Sequence, residues 1–341
     1  MTERDPSADL QHLFQLALGY MPAVSLNIVV KLGIPDLLGS GPLSIQQLSQ
    51  KTGINEDRLY RIMRALSTVG VFRETERRSF GHTPVSELLR KDHPLSLHDM
   101  VNWIADPFHF HAYANLMRTL KTGESAMEVA AGKPIFDFFR DDPEEGQIFN
   151  AAMVNFTQTC IGAILEAYDF SNIRTLVDVG GGYGSVVAAI LTRYPAMRGI
   201  LYDLDHVVAG ARPVLAAAGV TGRCEVMTGN FFETVPAGGD AYVMKHIIHD
   251  WEDDKALTIL NNIRKAFQNK ADGKVILLEA VVAGPGEPDL AKWIDLEMMA
   301  GPGGRERTHE EFQRLFEKAG LRLSRIVPTK SPLSVIEAIL A

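Results

Sequence analysis

Only two cysteines, Cys160 and Cys224, occur in 341 residues, which excludes a disulfide framework and a four-thiolate zinc or iron–sulfur centre. Basic charge is not in excess either. Thirty-four Lys and Arg face 42 Asp and Glu, and a net charge of −8 ill suits a phosphate backbone or an anionic membrane as partner. The early apolar stretch Ala23 to Val30 stops at Lys31, short of the ~18 residues a spanning helix needs, and the opening MTERDPSADL has no apolar signal core. The expectation is a cytoplasmic protein with reduced thiols and no membrane or nucleic-acid partner. What the chain does have, 46% hydrophobic against 22% charged residues, is ample for a packed core and favours small-molecule chemistry.

Two textures meet near residue 172. Up to about Tyr168 the apolar positions recur at helical spacing, as in Leu10, Leu13, Phe14, Ala17 and Leu18. Within this half, Ile45 to Lys51, a turn at Thr52 and Gly53, and Asp57 to Val69 read as a helix-turn-helix, with RRSFGHTP as a short wing. Arg58, Arg61 and Arg64 would sit on the second helix, where a DNA-binding protein presents its contacts. Nine basic and six acidic residues between Gly41 and Leu95 make a weak nucleic-acid face, so a structural or dimer-forming winged helix is the stronger reading.

From Thr175 onward short apolar runs alternate with helix-length segments: Thr175 to Val179, Gly199 to Tyr202, Cys224 to Met227, Ala241 to Ile248 and Lys274 to Val281. That alternation predicts a doubly wound α/β, Rossmann-like sheet, closed by an antiparallel pair from LRLSRIVPT and LSVIEAIL. The expected division is a winged-helix dimerisation domain over 1–95, a helical linker over 96–172 and a ligand-binding α/β domain over 173–341.

The strand Leu176 to Val179 runs into Gly180-Gly181-Gly182-Tyr183-Gly184 and then a helix, which places glycines and free helix N–H groups where a nucleotide-like ligand can approach. The dinucleotide fingerprint wants a glycine at its sixth position, and Ser185 stands there. What remains is D-x-G-x-G-x-G from Asp178, with Asp203 ending the next strand, where a carboxylate can accept both ribose hydroxyls. Further on, AYVMKHIIHDWEDDKA loads a strand end with Lys245, His246, His249, Asp250 and Trp251. A histidine there can act as a general base. A metal reading of His246, His249 and Asp250 lacks a third partner at ligand spacing, so no metal is expected.

The glycine pattern resembles the first motif of class I S-adenosylmethionine-dependent methyltransferases. K-x-x-x-H-D-W at Lys245 to Trp251, KVILLEAV with Glu279 and DLEMMAGPGGRERTHEEF with Glu306 resemble the plant-type small-molecule O-methyltransferases and their bacterial relatives. The similarity covers nearly the whole chain. It implies His249 as base, with Glu279 and Glu306 orienting its ring, and no metal. It also implies S-adenosylmethionine bound by Asp178, Gly180, Gly182, Asp203, Asn230, Phe231, Lys245 and Trp251, leaving S-adenosylhomocysteine as product. Asn230 departs from the Asp usual at that place. From the residues alone, Glu279 should end the strand beside that of His249, and Glu306, just before the capping box Thr308-x-x-Glu311, should lie in a loop.

Nine of the chain's aromatic residues fall between Trp103 and Phe156. The resemblance puts Phe149, Met153, Asp250 and Met298 at a substrate cavity, an apolar lining that suits a flat aromatic hydroxyl compound. The stretch Leu10 to Leu38 is too apolar to stand alone in water, and a homodimer through the N-terminal domain is expected. Two rivals stay open: a relative that keeps the cofactor but hydroxylates or decarboxylates, and a winged-helix regulator that senses a small molecule.

Overall fold

The computed structural model describes residues 6–341 apart from Asn269 and Ala271; the first five residues of the charged opening lie outside it. The chain packs as two units, one from its start to Phe110 with Ala151–Asn155, the other from His111–Asn150 and Phe156–Ala341.

In the first unit, Ser44 Oγ accepts from Gln47 N while Gln47 Oε1 accepts from Ser44 N, a reciprocal cap that starts the helix Ile45–Thr52. Gly53, in the left-handed region, ends it. The second helix, Glu56–Thr68, buries Leu59, Met63 and Leu66 and leaves Arg58, Arg61 and Arg64 exposed. Strands β1 (Leu43–Ser44), β2 (Phe72–Glu76) and β3 (Ser79–His82) form the wing in the order β1-β3-β2. Val29, Ile34, Leu48, Leu59, Met63 and Phe80 share its core. By contrast, the helix Pro6–Ala17 leaves Leu10, Leu13 and Phe14 61%, 65% and 68% exposed.

The second unit holds the predicted sheet. Strands β4 (Thr175–Val179), β5 (Arg198–Asp203), β6 (Cys224–Thr228), β7 (Ala241–Lys245), β8 (Lys274–Glu279), β9 (Leu321–Pro328) and β10 (Ser334–Leu340) lie in the order β6-β5-β4-β7-β8-β10-β9. The first five run parallel, and β9 and β10 are the antiparallel closing pair. Their side chains alternate between two buried layers: Leu176, Val243 and Ile276 on one face, Val177, Tyr242 and Leu277 on the other. Strand order reverses between β4 and β7, so the crevice for a ligand opens at the carboxyl ends of those two strands.

Two strands are shorter than their apolar runs. The run Ala241 to Ile248 stops pairing at Lys245, because His246 turns out of the sheet with φ of 55° and a 3-10 turn follows at Ile248–Asp250. The run Lys274 to Val281 ends at Glu279, and Val281 bridges to Arg307 instead. The helix Pro143–Ala167, 25 residues with a hydropathy of 1.4 over its most apolar window, has the length and composition to cross a membrane, as does the bent pair Ser7–Ala17 and Tyr20–Lys31. Asn155, Thr157, Cys160 and Ile164 of the long helix are buried.

Glu337 on β10 accepts from the Tyr168 hydroxyl and pairs with Lys274 at 3.2 Å and Arg325 at 3.1 Å. Burial pushes its carboxyl up, but bonds from Tyr168 and Ser324 and the charge of Lys274 outweigh it and hold the group at about 2. A depressed acid stabilises the fold above its ordinary range and loses that contribution as pH falls toward 2. Glu337→Gln is therefore expected to cost about 1–3 kcal/mol near neutrality, with the difference from wild type shrinking below pH ~4.5. Urea unfolding across that range measures it; a constant difference would contradict the assignment.

Candidate functional site

At the end of β4 the chain turns with Gly180, Gly182 and Gly184 at φ of 67°, 59° and 80°, which L side chains rarely adopt. A Cβ on Gly180 would lie 2.5 Å from Ile247 Cδ1 and 3.4 Å from Phe231 Cε1, so the turn packs against both neighbouring loops. A Cβ on Gly182 would meet nothing within 4 Å, which marks the open side.

Asp203 stands beside that opening. Its Oδ2 accepts from Gly182 N at 2.8 Å and its Oδ1 from Leu204 N at 2.7 Å, which leaves each oxygen further acceptor capacity. Asp178 lies under the turn instead, wholly buried. Its Oδ2 accepts from Val187 N at 3.2 Å and its Oδ1 has no hydrogen-bond partner. A Cβ on Gly181 would sit 2.6 Å from the Asp178 carboxyl carbon, and burial raises that carboxyl to about 7.

The end of β7 carries the densest chemistry. His249 is buried, its Nδ1 2.7 Å from Glu306 Oε1 and 3.5 Å from Glu279 Oε2, its Nε2 3.4 Å from Asp250 Oδ1. Because a carboxylate oxygen accepts, Nδ1 carries a proton toward Glu306, and in the neutral ring Nε2 is the nitrogen left to accept. Burial alone would lower the imidazole; Glu279, Glu306 and Asp250 overcome it and raise it to about 9. Asp250, partly buried near the same two glutamates, is raised by loss of solvent to about 7, and burial lowers Lys245.

Both glutamates stand where the sequence places them. Glu279 ends β8 beside β7, its Oε1 accepting from Ile247 N at 3.1 Å and Ile248 N at 3.0 Å. Glu306 lies in a loop before the capping box of the helix His309–Lys318, and its N donates to Asp295 Oδ1 at 2.8 Å. The second oxygen of each glutamate is buried without a hydrogen-bond partner.

Sequence reasoning missed the brace around this turn. Arg307, fully buried, donates to Ile248 O at 3.1 Å, Trp251 O at 2.9 Å and Asp253 Oδ1 at 3.0 Å. Arg305 N donates to His249 O at 2.8 Å, and any side chain at Gly304 would strike that carbonyl. The one available signal was a lone arginine between Glu306 and the cap at Thr308.

Trp251 stands among Phe232, Phe136 and Phe231 at ring distances of 4.8, 5.6 and 6.4 Å, its Nε1 buried without a hydrogen-bond partner. Asn230 is tied into the local turn: Oδ1 accepts from Phe232 N at 2.9 Å and Nδ2 donates to Glu233 at 3.3 Å. Phe149 stacks on Phe139 at 4.7 Å and reaches Phe136 at 6.4 Å, so a file of aromatic rings leads toward Trp251. Met298 is buried, and its carbonyl accepts from Gly303 N and Gly304 N at the root of the Glu306 loop. Met153 lies on the helix Pro143–Ala167, in the stretch Ala151–Asn155 that belongs to the first unit.

His246, His249 and Glu279 bring ligand atoms within 4.8 Å of one another. Glu279 thus supplies in space the third partner that the sequence spacing lacks, but His249 Nδ1 is engaged with Glu306 at 2.7 Å and His246 Nδ1 lies 3.4 Å from the Lys245 ammonium nitrogen.

The profile of an O-methyltransferase domain matches residues 113–322, and that of an O-methyltransferase dimerisation domain residues 14–92. The chain is 40% identical to the phenazine O-methyltransferase PhzM of Lysobacter antibioticus, over 96% of this chain and 95% of that one. It is 36% identical to the mitomycin biosynthesis 6-O-methyltransferase of Streptomyces lavendulae, over 94% and 91%. Among solved structures, LaPhzM superposes with a TM-score of 0.92 at 39% identity, over 99% of this chain and all of that one. An O-methyltransferase of neocarzinostatin biosynthesis, solved with S-adenosylmethionine and 2-hydroxy-5-methyl naphthoic acid, gives 0.80 at 28%, over 94% and 96%.

Proposed function

The chain belongs to the S-adenosylmethionine-dependent O-methyltransferase family with an N-terminal dimerisation domain, and from that premise we propose that it methylates a phenolic hydroxyl of a small aromatic natural product with His249 as general base. The observation that carries this reading is the buried His249–Glu306 pair, 2.7 Å apart, at the mouth of the crevice that the glycine turn borders.

The residues present suit the cofactor. Gly182 leaves open space, Asp203 keeps acceptor capacity for ribose hydroxyls, and Phe231 and Trp251 offer an apolar slot for a base, with the unpartnered Trp251 Nε1 beside it. Lys245, behind the crevice, is the candidate for the amino-acid carboxylate, and Asn230 for the adenine amine. Asp178 takes part by propping the turn from beneath. When bound, S-adenosylmethionine supplies an electrophilic methyl group whose positive charge is lost on transfer to oxygen.

The protein's share is placement and proton removal. Holding the two reactants in line is worth roughly 7–11 kcal/mol of barrier. His249 Nε2 accepts the hydroxyl proton while Glu306 holds Nδ1 and the charges of Glu306 and Glu279 stabilise the imidazolium. Phe149 and Met298 supply apolar surface for the acceptor ring, and Asp250 faces the base from the acceptor side. Phenazine and mitomycin relatives, together with the file of Phe136, Phe139 and Phe149, support a flat aromatic acceptor.

The exposed Leu10, Leu13 and Phe14 support a homodimer through the N-terminal unit. A cytoplasmic enzyme, with Cys160 and Cys224 free and buried, completes the proposal.

Incubation with methyl-labelled S-adenosylmethionine and a panel of phenols tests cofactor, reaction and acceptor class together. Label transfer to at least one phenol is expected, with Asp203→Ala weakening cofactor affinity ~10–100-fold through loss of charge-assisted bonds. No transfer to any phenol, with DNA retarded at physiological salt, would overturn the reading.

A further inference from the structure

A hydrogen bond fixes one edge of an imidazole, and the ring can still rock about that line. The hydrogen bond from Nδ1 to Glu306 is of this kind, and the two other carboxylates near the ring, Glu279 at 3.5 Å from Nδ1 and Asp250 at 3.4 Å from Nε2, make charge contacts without a hydrogen bond. The face of the ring, however, is covered. His246 stacks on His249 with centroids 4.5 Å apart and planes at 21°. Phe156 lies behind His246 at 5.1 Å and 23°, so three rings form one pile standing on the helix Pro143–Ala167. The backbone goes out of its way to build it: His246 sits at φ of 55°, uncommon for a residue other than glycine.

Lys245 Nζ, 3.4 Å from His246 Nδ1 and 5.7 Å above the Phe156 ring, pins the middle ring by donating to that nitrogen. Burial, together with the charges of Lys245 and His249, holds His246 well below the usual histidine range, so the pile contains no second imidazolium to repel the first.

Resting on the assignment of His249 as base, we infer that His246 is a positioning residue whose ring, backed by Phe156, fixes the plane of His249 so that Nε2 stays aimed at the acceptor hydroxyl. Face contact, not a ring nitrogen, is what this role requires. Only an aromatic side chain serves it, and the His246 nitrogen that takes the Lys245 bond adds less than the ring face does.

Three variants of the full-length enzyme test this. His246→Asn accepts the left-handed backbone but removes the ring; His246→Phe keeps the ring and removes the nitrogens. In His246→Asn, kcat is expected to fall ~10–100-fold, the scale of a small misplacement of a reacting group, with S-adenosylmethionine affinity by calorimetry changed far less than kcat. His246→Phe is expected to recover most of that loss. Phe156→Leu, which removes the backing ring without touching the turn, is expected to lower kcat less than His246→Asn and in the same direction; it carries the test should either His246 variant fail to fold.

Wild-type kcat in His246→Asn, equal losses in His246→Asn and His246→Phe, or an unaffected Phe156→Leu would overturn the inference. His249→Ala, assayed alongside, separates the two claims. Full activity there removes the base assignment, whereas its loss beside an unaffected His246→Asn removes only the positioning role.

Discussion

His249→Ala is expected to lower kcat by ~10²–10⁴-fold, the usual contribution of a positioned general base, while cofactor affinity stays where it was. The separation follows from where the groups lie. Asp203 and Gly182 hold one another at the ends of β5 and β4, and nothing in their hydrogen bonding passes through His249. Methyl transfer does not stop altogether, because the in-line placement of two reactants survives the substitution.

The residual rate carries its own signature. A phenolate needs no base, so His249→Ala is expected to gain activity tenfold per pH unit up to the acceptor's own pKa, near ~10 for a simple phenol. Truncation also leaves Glu279 and Glu306 facing a void, and His249→Gln, which keeps a donor within reach of Glu306, controls for that disturbance. Single-turnover rates at saturating cofactor decide the matter; turnover equal to wild type in both variants would remove His249 from the mechanism.

Much of this site is legible in the sequence wherever local chemistry decides local structure. The glycine turn after β4 follows from glycines that alone tolerate its dihedrals, and the loop position of Glu306 from the capping box two residues on. Glu279 beside β7 follows from strand order in a doubly wound sheet.

What escaped was set by contacts distant in sequence. Nothing local tells that His246 leaves the strand, since isoleucines follow it and the apolar run continues through Ile248. The bond of the Asp178 carboxyl to Val187 N and its burial beneath Gly181 arise only when the helix after the turn packs down. Arg307 is a brace only through the tertiary fold, which brings its guanidinium among the carbonyls of Ile248 and Trp251.

The pH dependence of the free enzyme is the second large effect. With His249 raised to about 9 by the carboxylates around it, the base is protonated at neutrality, and kcat/KM for a phenolic acceptor is expected to climb tenfold per pH unit to about pH 9 and then level off. The two glutamates separate by what each does besides carry charge. Glu279→Gln keeps an oxygen for the N–H groups of Ile247 and Ile248, so its main loss is the charge; the rising limb moves to lower pH with the plateau largely kept. Glu306→Gln offers an amide that can donate to Nδ1, which favours the tautomer with Nε2 protonated and therefore unable to accept. Its limb also moves down, and its plateau falls ~10²-fold or more.

Stability runs with the same proton. A histidine raised in the folded state stabilises it fully below its unfolded value near 6.5 and loses that contribution as pH rises through about 9. The melting temperature of the wild type should therefore fall over that window, above most of the range in which Asp250, raised to about 7, loses its own contribution, and the fall should be shallower in Glu279→Gln. Histidine-selective NMR titration alongside the rate profiles reads both effects from one group. A His249 resonance titrating near 6.5 in the wild type, or a kinetic limb that Glu279→Gln leaves in place, would show that these carboxylates do not set the strength of the base.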